Sequence, residues 1–344
     1  MQQEEYIGFD SIKNLGWVLP KHNPKNIFLA TGKTSYKNSG AKEAIEPYLN
    51  NYSVFHFYDF ETNPKLHDIE KGLEFFKKNN CDFIITVGGG SVLDVAKSIN
   101  ILASNDNNPI DYIKNKEKIE FRGKTLVAIP STSGSGSEAT KFAVLYIDKT
   151  KYSLEHEFML PDYTIVDPQL TMNLSKNLTA STGMDALSQA IESYWCINST
   201  NESKKYAAEA IKLVMGNLSK SVNNPNKQSR EAMSKAAHLA GKAINISKTS
   251  ACHAISYPIT SYFGVQHGHA VALTLAQMLV YNSQISEEDV LDGLGVDYVK
   301  KTIMEIVTLI GAKDVDDAYK KITSFMYKIG LATRLSELGI KSEK

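Results

Sequence analysis

Residues 82–97 read DFIITVGGGSVLDVAK: an apolar run enters three glycines, and Ser91 then begins a segment with helical spacing of apolar residues. Glycines let a backbone approach a ligand closely, and the free amides at a helix start favour negative charge. The stretch therefore predicts a buried strand, a turn that holds a phosphate group, and a helix. The alternative is a tight turn that needs glycine for its geometry only.

A second loop of small residues strengthens the first interpretation. The sequence PSTSGSGSEAT at 130–140 follows the apolar run 125–129. It adds hydroxyls and amides at the carboxyl edge of the same predicted sheet, where nucleotides bind in such folds. Two loops of this kind predict a dinucleotide site.

The first half of the chain alternates short apolar runs with helical patterns such as 67–78, which predicts a parallel sheet flanked by helices. The runs that read as buried strands are 26–31, 52–57, 82–87 and 125–129. From about Thr179 onward, Ala-rich segments with a period near 3.6 residues predict helices and almost no strand. We therefore expect an α/β domain at 1–176 and a helical domain at 177–344, with a ligand in the cleft between them.

Composition restricts the class of partner. The chain has 344 residues, more than one hydrophobic core usually supports, and its 38 basic residues balance 38 acidic ones. Nothing suggests nucleic acid or a membrane as a partner. Three cysteines argue against a disulfide framework, and the N-terminus has no apolar signal core. We expect a cytoplasmic protein with a small-molecule ligand.

The segments GMDALSQAIESYW at 183–195 and HAISYPITSYFGVQHGHA at 253–270 look like two halves of one metal site. Asp185, His253 and His267 offer a carboxylate and two imidazoles, which suit a cation such as Zn²⁺ or Fe²⁺. Three protein ligands leave a position open for a substrate. The alternative is that Asp185 merely starts a helix and that both histidines are buried polar groups of the core.

The motifs GGGSVLDVAK, PSTSGSGSE, LPDYTIVDPQLT, TGMDAL and HGHA occur together and cover most of the chain. In their order and spacing the chain resembles the iron-containing, or group III, alcohol dehydrogenases. The resemblance implies an α/β plus all-α architecture, which dehydroquinate synthase shares. It implies that a Rossmann-like, parallel-sheet dinucleotide domain is followed by a helical domain that binds metal and substrate. It also implies NAD(P)-dependent interconversion of an alcohol and a carbonyl compound.

The same resemblance assigns residues to the cofactors. Those expected to bind the nicotinamide cofactor are Gly88, Gly89, Gly90, Ser91, Asp94, Ser131, Thr132, Ser135 and Lys151, the last at the nicotinamide ribose. Those expected to bind one divalent ion, iron or zinc, are Asp185, His253 and His267.

Gln189 departs from the family pattern, because relatives usually have a metal-binding histidine four residues after the aspartate. Positions i and i+4 share a helix face, so Gln189 is a candidate fourth ligand, although an amide oxygen binds zinc or ferrous iron more weakly than imidazole does. The alternative is a nucleotide-binding protein that has lost its metal and its activity.

Tyr257 is a second departure, since many family members carry there a histidine assigned to proton transfer. A phenol hydrogen-bonds a developing alkoxide but is a poorer proton shuttle near neutral pH. His269 is the second candidate for supplying the proton. The alternative for Tyr257 is packing against Pro258.

Gly32 stands where NAD-preferring relatives tend to have an acidic residue. Such a carboxylate binds the ribose hydroxyls and repels a 2′-phosphate. Gly32 removes that repulsion, and Lys33 or Lys37 offers positive charge. We therefore expect NADPH or NADH as the cofactor, with NADPH accepted.

Lys242 and Lys248 lie just before His253, in AGKAINISKTSACHA at 240–254. Cations and hydroxyls beside a metal suit a substrate with an anionic head. The two lysines converge only if a helix ends before Lys248; otherwise each is a solvated helix residue. The chain is most similar to the family branch that reduces phosphonoacetaldehyde to 2-hydroxyethylphosphonate in the segments SEATKFAVLY at 137–146, DALSQAIESYW at 185–195 and INISKTSACHAISYPIT at 244–260. The resemblance therefore implies a small anionic aldehyde as the substrate.

Two other functions remain open at this stage. One is a family dehydrogenase for general alcohols, lactaldehyde or glycerol, and the other is a dehydroquinate synthase-like lyase, which uses metal and NAD without net oxidation. We also expect a homodimer. The resemblance fades after 335–340, whereas relatives continue for a few more helices, so we expect the C-terminus to be shortened or incomplete.

Overall fold

The computed structural model describes residues 3–340. The chain divides into two compact units. One comprises the described residues up to Thr132 together with Gly136–Asn173, and the other comprises Ser133–Ser135 and the described residues from Leu174 onward.

The first unit is built on a six-stranded parallel sheet in the order β1-β8-β5-β4-β2-β3, with β6 and β7 forming a separate antiparallel hairpin. The strands are β1 Glu4–Ile7, β2 Asn26–Thr31, β3 Ser53–Phe57, β4 Phe83–Gly88, β5 Thr125–Pro130, β6 Phe142–Ile147, β7 Thr150–Glu155 and β8 Tyr163–Val166. The helices are α1 Leu15–His22, α2 Ser35–Asn38, α3 Ala41–Leu49, α4 Leu66–Lys78, α5 Gly90–Ala103 and α6 Pro109–Ile113. Short 3₁₀ turns lie at Ser11–Asn14, Ser137–Ala139, Glu157–Met159 and Pro168–Thr171.

Both faces of this sheet are covered, which explains its continuous apolar strands. Successive side chains of a strand point to opposite faces. Ile84 and Leu126 belong to one core, whereas Ile85 and Val127 belong to another. A parallel strand buried on both sides reads as an unbroken apolar run, as β4 does. The four predicted strands and the predicted parallel sheet are confirmed.

The second unit is helical, and no strand occurs in its described residues. Its helices are α7 Lys176–Trp195, α8 Asn201–Asn223, α9 Lys227–Ser247, α10 Ala251–Phe263, α11 His267–Ser283, α12 Val296–Leu309 and α13 Val315–Lys328, followed by a 3₁₀ turn at Leu335–Leu338. Side-chain caps fix four helix starts: Ser175 accepts a hydrogen bond from the amide of Leu178, Asp314 accepts one from the amide of Asp317, and Thr200 and Asn226 form capping boxes.

Helix α7 is the central element of this unit. Almost every residue between 179 and 193 is buried, and α8, α9 and α11 pack around the helix. A helix that is buried on all sides carries its polar side chains into the interior.

Between residues 3 and 340, no helix is long and apolar enough to cross a membrane.

Candidate active site

One face of α7, in the second unit, carries buried polar side chains. Asp185, Gln189 and Glu192 follow one another at helical spacing, and their exposed fractions are 5%, 4% and 0%. Polar groups are costly to bury without partners. The chemistry of this face therefore depends on what the neighbouring helices bring to it.

Helices α10 and α11 bring two imidazoles to this face. Nε2 of His253 lies 3.5 Å from Oδ1 of Asp185, and Nε2 of His267 lies 3.9 Å from the same oxygen. Ligand atoms of the three residues all lie within 4.8 Å of one another. Two ligands bound at about 2.1 Å to a tetrahedral ion are about 3.4 Å apart. The spacing is close to what one cation requires.

Two buried atoms support the fit of a cation. Nε2 of His253 and Oε1 of Gln189 have no hydrogen-bond partner, although buried polar atoms normally have one. The Gln189 amide nitrogen donates to the carbonyl oxygen of Ser135 at 3.2 Å, which fixes the orientation of the amide. The donor set of carboxylate, imidazole and amide oxygen fits a divalent metal.

The carboxylate of Glu192 binds both the start of α10 and the ring of His253. One carboxylate oxygen accepts hydrogen bonds from the amides of Ser250, Cys252 and His253, and the other contacts Nδ1 of His253. Burial acts to raise the pKa of Glu192, but His253 and Ser250 outweigh it and leave this pKa lowered. Burial acts to lower the pKa of His253, but Glu192 and Asp185 raise it to about 9.

Gly268 lets α11 approach α7 at the site. A Cβ atom at position 268 would overlap the carbonyl oxygen of Ser181 and lie 2.7 Å from Cβ of Asp185. The amide of His269 donates to Oγ of Ser181 at 3.1 Å, which holds the two helices together. The HGHA motif thus places His267 beside Asp185 because the next residue has no side chain.

The two candidates for proton transfer lie in different surroundings. The ring of Tyr257 is nearly parallel to that of His267, with ring centres 6.5 Å apart and planes inclined by 21°. Nε2 of His269 lies 2.8 Å from the carbonyl oxygen of Ala332. Tyr257 therefore faces a predicted metal ligand, whereas the ring of His269 is engaged by the backbone.

Lys242 and Lys248 are separated by the end of α9. This helix ends at Ser247, as convergence of the two lysines requires. Lys248 follows with φ 68° and ψ −175°, and it is exposed. The amino group of Lys242 lies 4.9 Å from the centre of the Tyr206 ring on α8. An anionic head group held by both lysines stays a prediction.

In the first unit, the glycine turn lies between β4 and α5. The strand ends at Gly88 and the helix begins at Gly90, with Gly89 at the cap position. The amide of Ser131 donates to the carbonyl oxygen of Gly88 at 2.8 Å, and a Cβ at Gly89 would lie 3.5 Å from the Thr132 side chain. The structure thus brings the two predicted cofactor loops together, whereas Ser135 belongs to the second unit.

Asp94 and Lys97, on the first turns of α5, fasten the chain that follows the second loop. Asp94 accepts hydrogen bonds from Oγ of Ser137 at 2.6 Å and from the amide of Val144 at 3.1 Å. The fully buried Lys97 donates to the carbonyl oxygens of Ser137 at 2.9 Å and of Thr140 at 3.2 Å. Burial lowers the pKa of Lys97 to about 8.

The remaining predicted cofactor residues lie at the ends of β2 and in the hairpin. Gly32 directly follows β2, and Lys33 lies 3.3 Å from Asp59 at the surface. Lys71 lies 3.8 Å from the same carboxylate. Lys151 lies on β7, opposite Tyr146 of β6. Contact of these residues with a cofactor stays a prediction.

Comparison with known proteins identifies the family. Residues 3–168 match the iron-containing alcohol dehydrogenase family, and residues 179–344 match the C-terminal domain of the Fe-containing alcohol dehydrogenase family. This chain belongs to the iron-containing alcohol dehydrogenases. The resemblance stated from the sequence motifs is confirmed.

Among curated relatives, long-chain-alcohol dehydrogenase 1 of Geobacillus thermodenitrificans is 33% identical over 84% of this chain and 75% of its own. Phosphonoacetaldehyde reductase of Streptomyces viridochromogenes is 34% identical over 73% of this chain and 65% of its own. Among solved structures, sulfoacetaldehyde reductase of Bifidobacterium kashiwanohense in complex with NAD⁺ has a TM-score of 0.88 at 30% identity. The structural match covers 99% of this chain and 88% of the chain of sulfoacetaldehyde reductase.

Membership settles the enzyme class of this chain. It is an oxidoreductase acting on alcohols and aldehydes, and the predicted fold of an α/β domain followed by a helical domain is confirmed. The family uses NAD(P) and a divalent metal, so the predicted cofactors are confirmed at that level. The named relatives act on differently named substrates, so the substrate does not follow from membership.

Two buried residues, Glu192 and Lys97, were not predicted from the sequence to belong to the site. Glu192 lies seven residues after Asp185 and hence on the same face of α7, which was a usable signal. Lys97 closes the GGGSVLDVAK motif on a helix whose neighbouring positions are apolar. In both cases an ionisable side chain within an apolar helical pattern indicated a buried network.

Proposed function

We propose that the protein reduces a small aldehyde with an anionic head, phosphonoacetaldehyde first among them, to the alcohol with NADPH or NADH. The observation that carries the reductase part is the cluster of Asp185, His253 and His267, whose ligand atoms lie within 4.8 Å of one another. The reaction consumes one aldehyde, one NAD(P)H and one proton, and it yields the alcohol and NAD(P)⁺.

Asp185, His253 and His267 would hold the divalent ion, and the Gln189 amide oxygen would be a fourth ligand. When bound, the ion supplies Lewis-acid polarisation of a carbonyl and the nicotinamide supplies hydride. The turn 88–91 would bind the pyrophosphate with its amides at the start of α5, and the side chains of Ser131 and Thr132 would line the cofactor. Because the side chain of His267 is 35% exposed, the site is reachable from solvent.

The proton would come from the phenolic oxygen of Tyr257. Its ring faces His267, whereas Nε2 of His269 is occupied by the carbonyl oxygen of Ala332. A phenol that gives its proton to the alcohol oxygen is restored from solvent.

The anionic head would be bound by Lys248, with Lys242 as a second cation. Lys248 directly follows the end of α9 and lies two residues before Ser250. The amide of Ser250 donates to Glu192, the same carboxylate that contacts His253. Phosphonoacetaldehyde and sulfoacetaldehyde, named for two relatives, are both short aldehydes with an oxyanion head. Three free cysteines are consistent with a reducing, cytoplasmic setting.

A second candidate is a dehydrogenase for uncharged alcohols, which the long-chain-alcohol relative favours. Initial rates with phosphonoacetaldehyde, propanal and lactaldehyde, each with NADPH and NADH, separate the two. We expect kcat/KM for phosphonoacetaldehyde to exceed that for propanal by about tenfold or more, and a chelator to abolish turnover until zinc or ferrous ion is restored. Equal efficiency on all three aldehydes would establish the second candidate instead.

A further inference from the structure

We propose that Glu192 is a positioning residue of the metal site, and that its two carboxylate oxygens have separate roles. Oε1 holds the start of α10, and Oε2 orients the ring of His253. This inference rests on the proposed metal site formed by Asp185, His253 and His267. It concerns the neighbouring carboxylate that prepares one of these ligands.

The first role follows from the contacts of Oε1. This atom accepts hydrogen bonds from the amide of Ser250 at 2.9 Å, the hydroxyl of Ser250 at 2.8 Å, and the amides of Cys252 at 3.0 Å and His253 at 3.3 Å. The cap residue of α10, Ser250, makes no side-chain cap bond of its own. The first amides of a helix lack partners within the helix. A carboxylate from α7 therefore replaces the missing cap.

The second role follows from the contact between Oε2 and Nδ1 of His253. A carboxylate oxygen only accepts, so Nδ1 carries the proton and donates it. The other ring nitrogen, Nε2, lies 3.5 Å from Oδ1 of Asp185 and has no hydrogen-bond partner. Because Nδ1 keeps its proton, Nε2 is the ring nitrogen that would bind a metal.

The surroundings of Glu192 show that the cap alone does not require a charge. The side chain is fully buried, and a buried carboxylate is costly unless all its oxygens are matched. The indole nitrogen of Trp195 donates to Oγ of Ser250 at 2.9 Å, which leaves the hydroxyl proton of Ser250 for Glu192. A neutral amide oxygen would satisfy these donors equally well. The contact that needs a second acceptor is the one with His253.

Glu192→Gln separates the two roles. The four donors around Oε1 keep the amide oxygen at the start of α10, so the new NH₂ group faces Nδ1 of His253. Nδ1 must then accept, and the ring proton moves to Nε2, the atom that would bind the metal. The helix cap survives, and the ligand is lost.

Three variants complete the design. Ser250→Ala removes one cap donor and leaves the contact with His253 in place. Glu192→Asp keeps two acceptor oxygens and is the conservative rescue. His253→Ala removes the ligand itself and tests the proposed metal site independently of Glu192. Each protein is measured for zinc affinity by competition with a fluorescent chelator, for the visible spectrum of its cobalt form, and for the Tm of the metal-free form.

We expect E192Q to bind zinc about 10- to 100-fold more weakly than the wild type, with an altered cobalt spectrum and a metal-free Tm close to that of S250A. S250A keeps its zinc affinity within about threefold, and E192D binds zinc more tightly than E192Q. Wild-type affinity in E192Q, an unfolded E192Q, or E192D no better than E192Q overturns the inference. Unchanged zinc affinity in H253A instead overturns the proposed metal site.

Discussion

Gly268 packs directly against the backbone of Ser181, and a Cβ atom at 268 would overlap the Ser181 carbonyl oxygen. We expect Gly268→Ala to push α11 away from α7, and hence His267 away from Asp185. The loss of stability should be about 1–3 kcal/mol, because backbone cannot rotate aside as a side chain can. Zinc affinity should fall by about tenfold or more. Unfolding in urea and chelator competition measure both.

Gly216→Ala is the matched control for that substitution. Gly216 lies within α8, and a Cβ there would meet nothing within 4 Å. Alanine in an open helical position is expected to stabilise the protein by about 0.5–1 kcal/mol. If G268A and G216A shifted stability in the same direction, the close approach at 268 would not matter for folding.

Lys248 adopts φ 68° and ψ −175°, a backbone region that glycine occupies without strain. We expect Lys248→Gly to be more stable than Lys248→Ala by about 1 kcal/mol, since only glycine relieves this strain. Both variants lose the ammonium group and should lose about tenfold or more in kcat/KM for phosphonoacetaldehyde, with propanal unaffected. An equal loss on both aldehydes would argue against binding of the anionic head by Lys248.

Because Lys97 is buried, the free energy of unfolding of the first unit should depend on pH in the alkaline range. Burial lowers its pKa from 10.5 to about 8, so between these values the unfolded chain binds a proton that the folded chain does not. The free energy of unfolding therefore rises with pH in this window, by up to about 3 kcal/mol from this group. Urea unfolding of the wild type and of Lys97→Met at pH 8 and 10.5 measures it. The free energy of unfolding should rise more between these pH values in the wild type than in the variant. Equal changes in both proteins would contradict the assignment of the effect to Lys97.

Gly32 sets the expected tolerance for NADPH. A Cβ at this position would overlap Oγ of Ser35, so Gly32→Asp is best made together with Ser35→Ala, with S35A alone as the control. The added carboxylate should lower kcat/KM with NADPH relative to NADH by about tenfold, because it repels a 2′-phosphate. An unchanged ratio between the two cofactors would mean that position 32 does not contact the ribose.

The sequence predicted those parts of the fold that are encoded by local apolar patterns. β2 was predicted with the bounds that the structure has, since every residue from Ile27 to Thr31 is buried. β1 was missed because EEYI is a short and largely exposed edge strand, whose pairing with β8 comes from tertiary context. The hairpin of β6 and β7 was missed although β6 is an apolar run, since no turn of the Asn-Gly type marks it.

Site residues were predictable from the sequence where the residue type itself indicates the chemistry, as for metal ligands. Residues that act through another residue were harder to predict. Asp185, His253 and His267 were found by type and spacing, and the structure brings them together. Glu192 and Lys97 act through hydrogen bonds to backbone atoms of distant segments. The local sequence indicates that these side chains are buried, but their partners depend on the course of the whole chain.

The anchoring of 137–144 by Asp94 and Lys97 has a thermodynamic consequence for ligand capture. A chain segment that is already tied down at four or more points surrenders its conformational entropy during folding and not at the moment of association. Such preorganisation favours tight capture without a slow rearrangement. A cofactor bound at the adjoining glycine turn, as proposed, would meet a segment that folding has already ordered, and part of the cost of that order is the burial of Lys97.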